Sequence, residues 1–472
     1  MSATIPAQTL PDDAGRRWPL RLWGVLGVLC LVLFLNSLDG SIVGVALPSI
    51  GHDLGMGPES LQWIVNGYFL GYGGLLLLGG RAADLLGRRR VFLTALAVLA
   101  AASLLAALAG SGELLIAARF VKGVAAAFTA PASLSLLTTT FPEGPQRNRA
   151  LSLFTLCGAL GYSSGLMLGG ILTGIGWRLT FLMPVPLALL ALAAGWKLIP
   201  RIRPARAGRH DPVGAITLPL GMILTVYAVV TAPTQGWASP AKTGTLALIL
   251  AAILLTAFVL TERRLRHPLI RLGILRHTGI VRACLSIVAL LGTYMSFQFM
   301  LTLYLQQNHH WSPLQTACAL LPAGITVAAG SLTAGQLLTR FGTAPLIRAS
   351  MAATALGYAW FLATAGTTPS YPATMLPSLL LLGTGFALGY SAIMAQATQG
   401  IPSHEQGLAS GLVQTSAMAG TALILAAVTT TLTGHPAHTL SPYRTGLTLI
   451  TGIALLGLII NLTPTRTPRN PD

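Results

Sequence analysis

One acid inside an apolar run, and two cations a helical turn apart inside another, are the residues best placed for chemistry in this chain. Asp39 lies in Leu35-Asn36-Ser37-Leu38-Asp39-Gly40-Ser41 and is the only one of the twelve acids placed within a spanning-length hydrophobic segment. An ionised carboxylate within a bilayer is costly, so such a residue is by default a functional candidate, and its chemistry is reversible protonation. Asn36 lies three residues away on the same helical face, positioned to support it. Arg119 and Lys122 stand in Arg119-Phe120-Val121-Lys122-Gly123, where the three-residue spacing puts both charges on one face and like charges repel. Plain alternatives exist for both features. Asp39 would touch interfacial water at the end of its span, and Lys122 would snorkel toward water along its own stem.

These residues must be held by membrane-spanning helices. Of 472 residues, 53% are hydrophobic and 9% charged, and the mean hydropathy is +0.70; a soluble domain carries about 25% charged residues. A spanning helix needs roughly 20 apolar residues, and fourteen such runs can be marked, the first near Leu20–Val45 and the last near Thr445–Leu462. The seventh and eighth, Val213–Thr231 and Thr243–Thr261, have the softest boundaries.

The net charge of +17 is a matter of topology and does not point to nucleic acid. Of the 29 lysines and arginines, only Arg178, Lys242 and Arg444 fall on one side, and only Arg119 and Lys122 within a span. The rest crowd into the N-terminal tail, alternate loops and C-terminal tail, which places both termini in the cytoplasm and requires an even number of spans. Cys30, Cys157, Cys284 and Cys318 read as small packing residues with neither metal-ligand spacing nor a disulfide framework. The nine histidines show no ligand spacing either, so neither metal nor cofactor is expected.

The stretch Gly80-Arg81-Ala82-Ala83-Asp84-Leu85-Leu86-Gly87-Arg88-Arg89-Arg90 reads as a tight charged turn between the second and third spans. Gly335-Gln336-Leu337-Leu338-Thr339-Arg340-Phe341-Gly342 echoes it 255 residues later with the same glycine spacing. That is the internal repeat expected of transporters built from two parallel halves. In the fifth span Gly158, Gly161, Gly165 and Gly169 form one stripe, which lets a second helix come close and slide, or simply pack.

The turn at Gly80, Asp84, Gly87, Arg88 and Arg89 resembles the signature loop of the major facilitator superfamily of transporters. Asp39, Ser41 and Ala46-Leu47-Pro48 resemble the first-helix signature of its drug:proton antiporters, with Ser41 where Thr is usual and Gly44 where Asn is usual. Arg119 through Gly123 is similar to the fourth-helix motif, with Lys122 in place of the usual Gln, and Gly165–Gly170 to the exporter signature, with Leu166 in place of Pro. Trp177–Pro186, Gly236-Trp237 and His267-Pro268-Leu269 resemble the fourteen-helix branch. The likeness extends over nearly the whole chain and includes antibiotic-resistance exporters such as those for methylenomycin A.

The resemblance implies an all-α polytopic fold of two six-helix bundles plus two extra helices. The organisation expected is a cytoplasmic tail over 1–19, a bundle over 20–200, a linker over 201–212, two inserted helices over 213–262, a linker over 263–279, a second bundle over 280–462 and a tail over 463–472. It implies a proton-coupled antiporter in a bacterial cytoplasmic membrane, driven by the proton gradient, with hydrophobic drugs or antibiotics, the proton and the lipid bilayer as partners. Asp39 would take the proton, Arg119 would respond to it and Lys122 would modify the response. The Asp84 loop, with Arg340, would be a cytoplasmic latch.

Asn36, Tyr68, Tyr72, Gln298, Tyr304, Gln396, Gln414 and Met418 are the candidate substrate contacts; for the two tyrosines of the second span, interfacial anchoring and packing stand as the other reading. One acid against two cations favours neutral or weakly acidic drugs over organic cations. An uptake symporter remains open through Leu166. A membrane-embedded enzyme or sensor would need an extramembrane domain or a clustered nucleophile, base and metal ligands, and no such cluster or loop is present in the sequence.

Overall fold

The computed structural model describes residues 18–141, 144–200, 212–235, 243–265, 272–364, 370–401, 405–432 and 441–463. Its backbone is helical, with short connections. The N-terminal helices are α1 (Leu20–Leu54), α2 (Pro58–Leu86), α3 (Arg88–Ala107), α4 (Gly112–Thr140), α5 (Pro145–Ile175) and α6 (Arg178–Leu198). Then come α7 (Pro212–Gln235) and α8 (Thr243–Arg264). The C-terminal set is α9 (Thr278–Asn308), α10 (Pro313–Phe341), α11 (Thr343–Thr364), α12 (Tyr371–Thr398), α13 (Gln406–Leu432) and α14 (Ser441–Leu462). Among the described residues, thirteen helices are long and apolar enough to cross a membrane; in α7 the shorter apolar stretch Ile216–Val229 qualifies only by composition.

Helices run all-round apolar because lipid offers no hydrogen bonds to an open backbone. Starts and stops follow local chemistry: Ser111 caps α4 by accepting from the Leu114 amide, and Ser312 with Gln315 forms a reciprocal capping box at α10. Gly55 closes α1 with φ of 64°. The stretch Gly80–Arg90 differs from the turn expected. Helix α2 continues through Leu86 and α3 restarts at Arg88, so Gly87, at φ of 97°, is the only break. A left-handed residue at that point suffices to reverse the chain, and glycine adopts it without steric cost.

Within the N-terminal bundle α1 packs along α5, α2 along α4, and α3 against α4 and α6; within the C-terminal bundle α12 packs against α10 and α11, and α11 against α14. The bundles meet where α2 faces α13, α5 faces α10 and α1 faces α9. Helix α7 covers the first of these seams: Met222 and Val226 join Leu70 of α2 and Ala422 and Ala426 of α13 in one apolar cluster. Gly74 admits Pro219 of α7 at 3.1 Å from where a Cβ would stand. Helix α8 lies outside α7. Helix α7 thus lies over one seam between the bundles, with α8 packed on its outer side.

Helix α8 also corrects an expectation. Its helix runs past Thr261 to Arg264 and buries Glu262 at 3% exposure, so Asp39 is not alone as a buried acid. A span boundary read from hydropathy stops at the first charge, whereas the helix continues until its packing ends.

Candidate functional site

The charged cluster is built from α1 and α4 and closed by α2 and α6. On α1 the buried face includes Asn36, Asp39 and Ser41. On α4, Arg119 and Lys122 are 2% and 1% exposed, despite their size and charge. Each oxygen of the Asp39 carboxylate takes one cation: Oδ2 accepts from Arg119 Nη1, and Oδ1 accepts from Lys122 Nζ. Lys122 therefore does not snorkel to water, and Asp39 is not at an interface. Charges removed from water survive only when paired and hydrogen-bonded, and removing one partner of such a pair costs about 3–5 kcal/mol.

Helix α2 supplies the rest of the arginine's shell. Arg119 Nε donates to the Ile64 carbonyl at 3.0 Å, and the Tyr68 ring lies 4.5 Å from the guanidinium carbon. Tyr68 in turn donates its hydroxyl to the Asn36 carbonyl at 3.3 Å, and Asn36 Nδ2 donates to Thr129 Oγ1 at 3.1 Å. This reach is possible because α2 and α4 touch backbone to backbone: a Cβ on Gly123 would run into the Tyr68 carbonyl, and one on Gly71 would sit 3.0 Å from the Val124 nitrogen. The Phe181 ring of α6 lies 5.5 Å from Lys122 Nζ. A carboxylate shared between two cations in a buried, aromatic-walled site is an arrangement whose charge balance one proton would change.

The stripe on α5 faces the same helix as the acid. Gly158 meets Leu33 and Ser37, Gly161 meets Phe34, Gly165 meets Leu38 and Ser41, and Gly169 meets Ile42. Ser41 Oγ donates to the Tyr162 carbonyl at 2.8 Å, tying the two helices beside Asp39. Tyr162 then donates its hydroxyl to Gln298 Oε1 across the bundle interface at 2.9 Å, and Gln306 Nε2 of α9 donates to the Val45 carbonyl at 3.0 Å. A chain of direct contacts thus leads from the neighbours of Asp39 into the other bundle.

The remaining predicted residues are scattered. Arg89 donates to the Trp196 carbonyl at 2.6 Å and stacks over that indole, while Arg88 donates to the Ser135 carbonyl at 3.4 Å. Gly80 packs near Pro131, and Arg340 is exposed over the Phe341 ring. The Asp84 side chain lies outside the described residues, as do Gly236-Trp237, His267-Pro268-Leu269 and the 201–211 linker. Of the eight substrate candidates, Asn36 and Tyr68 join the charged cluster, Tyr72 contacts Tyr68 at a 6.0 Å ring separation, Gln298 bonds Tyr162, and Met418 covers Gly73. Gln414 is half-buried on α13. Tyr304, near the end of α9 beside His309 and Tyr443, and Gln396, near the end of α12, do not join them. Spacing along the chain could not place residues from different helices at one depth.

Sequence reading missed Thr129, Tyr162, Phe181, Gln62 and Asn66. The last two are 1% and 0% exposed on α2 and lie four residues apart, a polar pair legible within an apolar run. Among the described residues no group of three or more histidines, cysteines or acids could hold a metal ion.

This geometry, two packed bundles of membrane-length helices with a buried ion cluster inside the first, is that of a multi-pass membrane transporter. Residues 29–425 match the model of the Major Facilitator Superfamily, and the chain belongs to that family. It is 38% identical over 433 residues to the puromycin resistance protein pur8 of Streptomyces alboniger, covering 90% of this chain and 85% of that protein. It is 36% identical to the cephamycin export protein CmcT of Amycolatopsis lactamdurans, over 93% of this chain and 91% of that one. Among solved structures, the POT family transporter PepTSo superposes with a TM-score of 0.70 at 17% identity, covering 94% of this chain and 97% of that one. The nucleoside transporter NupG superposes with a TM-score of 0.66 at 14% identity, covering 94% and 99%. At such identities the structural likeness concerns the fold alone.

Proposed function

We propose that the protein is a proton-coupled antiporter exporting hydrophobic drugs or antibiotics across a bacterial cytoplasmic membrane by alternating access. Relatives named for puromycin resistance, cephamycin export and tetracenomycin C export support the substrate class. The carrying observation for coupling is the Asp39 carboxylate, enclosed at 3% exposure and shared by Arg119 and Lys122. When Asp39 takes a proton, the one negative charge between two cations is gone and Arg119 and Lys122 repel each other across one helical turn. With the charge that ties α1 to α4 gone, the two helices part and water reaches both cations, and α1 carries that displacement along the glycine stripe of α5 and into α9. A proton drives the cycle only if its affinity for Asp39 differs between the outward- and inward-open states.

The reading includes fourteen spans with both termini cytoplasmic, α7 and α8 as an insert between two six-helix bundles, and the loop around Gly87 with Arg340 as a cytoplasmic latch. The driving force is the proton gradient and no cofactor is used. The test is Asp39→Asn in everted membrane vesicles energised to acidify their interior. Wild type is expected to accumulate drug and the variant to lose this; undiminished proton-driven accumulation by the variant overturns the proposal. Drug movement out of such vesicles by wild type would instead identify an uptake symporter.

A further inference from the structure

The contacts between the bundles are not all alike. Where α9 meets α5 and α1, side chains bond across the interface, Tyr162 to Gln298 at 2.9 Å and Gln306 to the Val45 carbonyl at 3.0 Å. The seam between α2 and α13 is different. Gly73 of α2 packs on Met418 and the Thr415 carbonyl, and Leu77 packs on Gly411, so this face of α2 is the one turned to α13. Asn66, two turns before Gly73, and Gln62, a further turn before, lie on that same face. They point away from Ile64 and Tyr68, which serve the Arg119 cluster. Asn66 is 0% and Gln62 1% exposed. Neither Nδ2 nor Oδ1 of Asn66 has a hydrogen-bond partner, and neither does Oε1 of Gln62 or Oγ1 of Thr415 across the seam. Leu70, one turn beyond Asn66, is closed in by Ala422 and Ala426 of α13 and by Met222 and Val226 of α7.

A buried amide without partners costs free energy that it recovers once water reaches it. That cost falls on this closed arrangement of the seam and not on one in which α2 and α13 have parted. Gln62 and Asn66 lie in the first third of α2, at the end remote from the arginine-rich turn, which is the outer end in the topology proposed above. We propose that Gln62 and Asn66 are the polar element of an outer gate. They weaken the closed α2–α13 seam, and so keep the outward-open state populated beside the closed one. Apolar side chains of the same shape would satisfy the seam and hold the gate shut. The inference rests on alternating access as proposed above, but neither the proton nor the drug enters it.

The experiment measures how fast a thiol placed in the seam meets the outer solution. Ala426 is fully buried on α13, and Ala426→Cys puts the thiol there with little change of volume. Right-side-out membrane vesicles are treated with a membrane-impermeant maleimide, and the labelled peptide spanning position 426 is quantified by mass spectrometry. The Ala426→Cys protein is expected to label steadily as the seam opens. Adding Asn66→Leu, which keeps the branched shape and removes the amide, is expected to slow labelling about tenfold and to raise the unfolding temperature of the purified protein. Gln62→Leu is expected to act in the same direction to a smaller extent. Leu70→Met, an apolar exchange in the same seam, is expected to change neither reading. An unchanged labelling rate with Asn66→Leu, a lowered unfolding temperature, or equal slowing by Leu70→Met overturns the proposal. So does an Ala426→Cys protein that stays unlabelled yet still accumulates drug in everted vesicles, a result that removes the gate and leaves the export reading standing. The expected labelling pattern in a protein that exports nothing supports the gate and counts against the export reading alone.

Discussion

The two bundles share a plan but have interiors of different chemistry. In the N-terminal bundle the helices enclose Asp39, Arg119 and Lys122, held by α1, α2 and α4. Among the described residues of α9 to α14 no charged side chain is buried; the polar interior there consists of hydroxyls and amides such as Thr293, Ser296, Ser350 and Gln298. Many of those hydroxyls bond within one turn of their own helix, as Ser296 does to the Gly292 carbonyl at 2.7 Å. The difference teaches where a conformational equilibrium can be biased by one proton. Self-satisfied hydroxyls do not change when a proton arrives, whereas an ion cluster with net charge does.

The largest expected effect breaks that contrast directly. Asp39→Asn leaves two buried cations without their counter-ion and should destabilise the protein by roughly 3–5 kcal/mol, read as thermal unfolding of the purified protein. Adding Lys122→Met to Asp39→Asn should restore most of this stability while proton-driven export stays absent. Recovery of both together would make the cluster structural and not coupling.

The packing counterpart comes next. Gly165→Leu pushes a side chain into Leu38 and Ser41 beside the acid and should cost about 1–3 kcal/mol with loss of transport. A glycine with open space around it gives the contrast: Gly335→Ala in the second half has nothing within 4 Å of its new Cβ and should be neutral in both assays. A smaller, functional effect is expected from Lys122→Gln. Removing one of the two cations should shift drug preference from acidic toward cationic compounds, on the order of tenfold, measured as susceptibility ratios in cells. Equal preference before and after would detach Lys122 from substrate choice. The smallest measurable loss is expected in the C-terminal bundle. Tyr358→Phe deletes the 3.0 Å hydrogen bond to Thr293 and should cost about 0.5–1.5 kcal/mol with coupling intact.

The sequence was informative wherever a residue type is rarely tolerated. A carboxylate and two cations in apolar runs, and a glycine stripe, stand out because lipid-embedded protein penalises charge and because small residues at helical spacing admit a neighbour. Charge asymmetry between loops and the echo of Gly80–Gly87 in Gly335–Gly342 likewise pointed to a two-half membrane protein. Each of these signals is read from residue types along the chain, without knowing which helices touch.

Relations between segments were not legible in that way. That Arg119 takes one oxygen of Asp39 and Lys122 the other, that Tyr68 stacks on the guanidinium, and that Tyr162 joins Gln298 across the interface all depend on relative helix depth and rotation. Backbone approaches at Gly71, Gly123 and Gly165 fix those rotations, and no spacing along one helix encodes its neighbour's register. The same limit explains why Tyr304 and Gln396 fell away from the other substrate candidates and why Glu262 went unread. The sequence by itself determined where the helices run and at what spacing their unusual residues stand, because hydropathy and periodicity are local; only the tertiary structure decided which of them are buried and which meet, because contact between helices is set by packing.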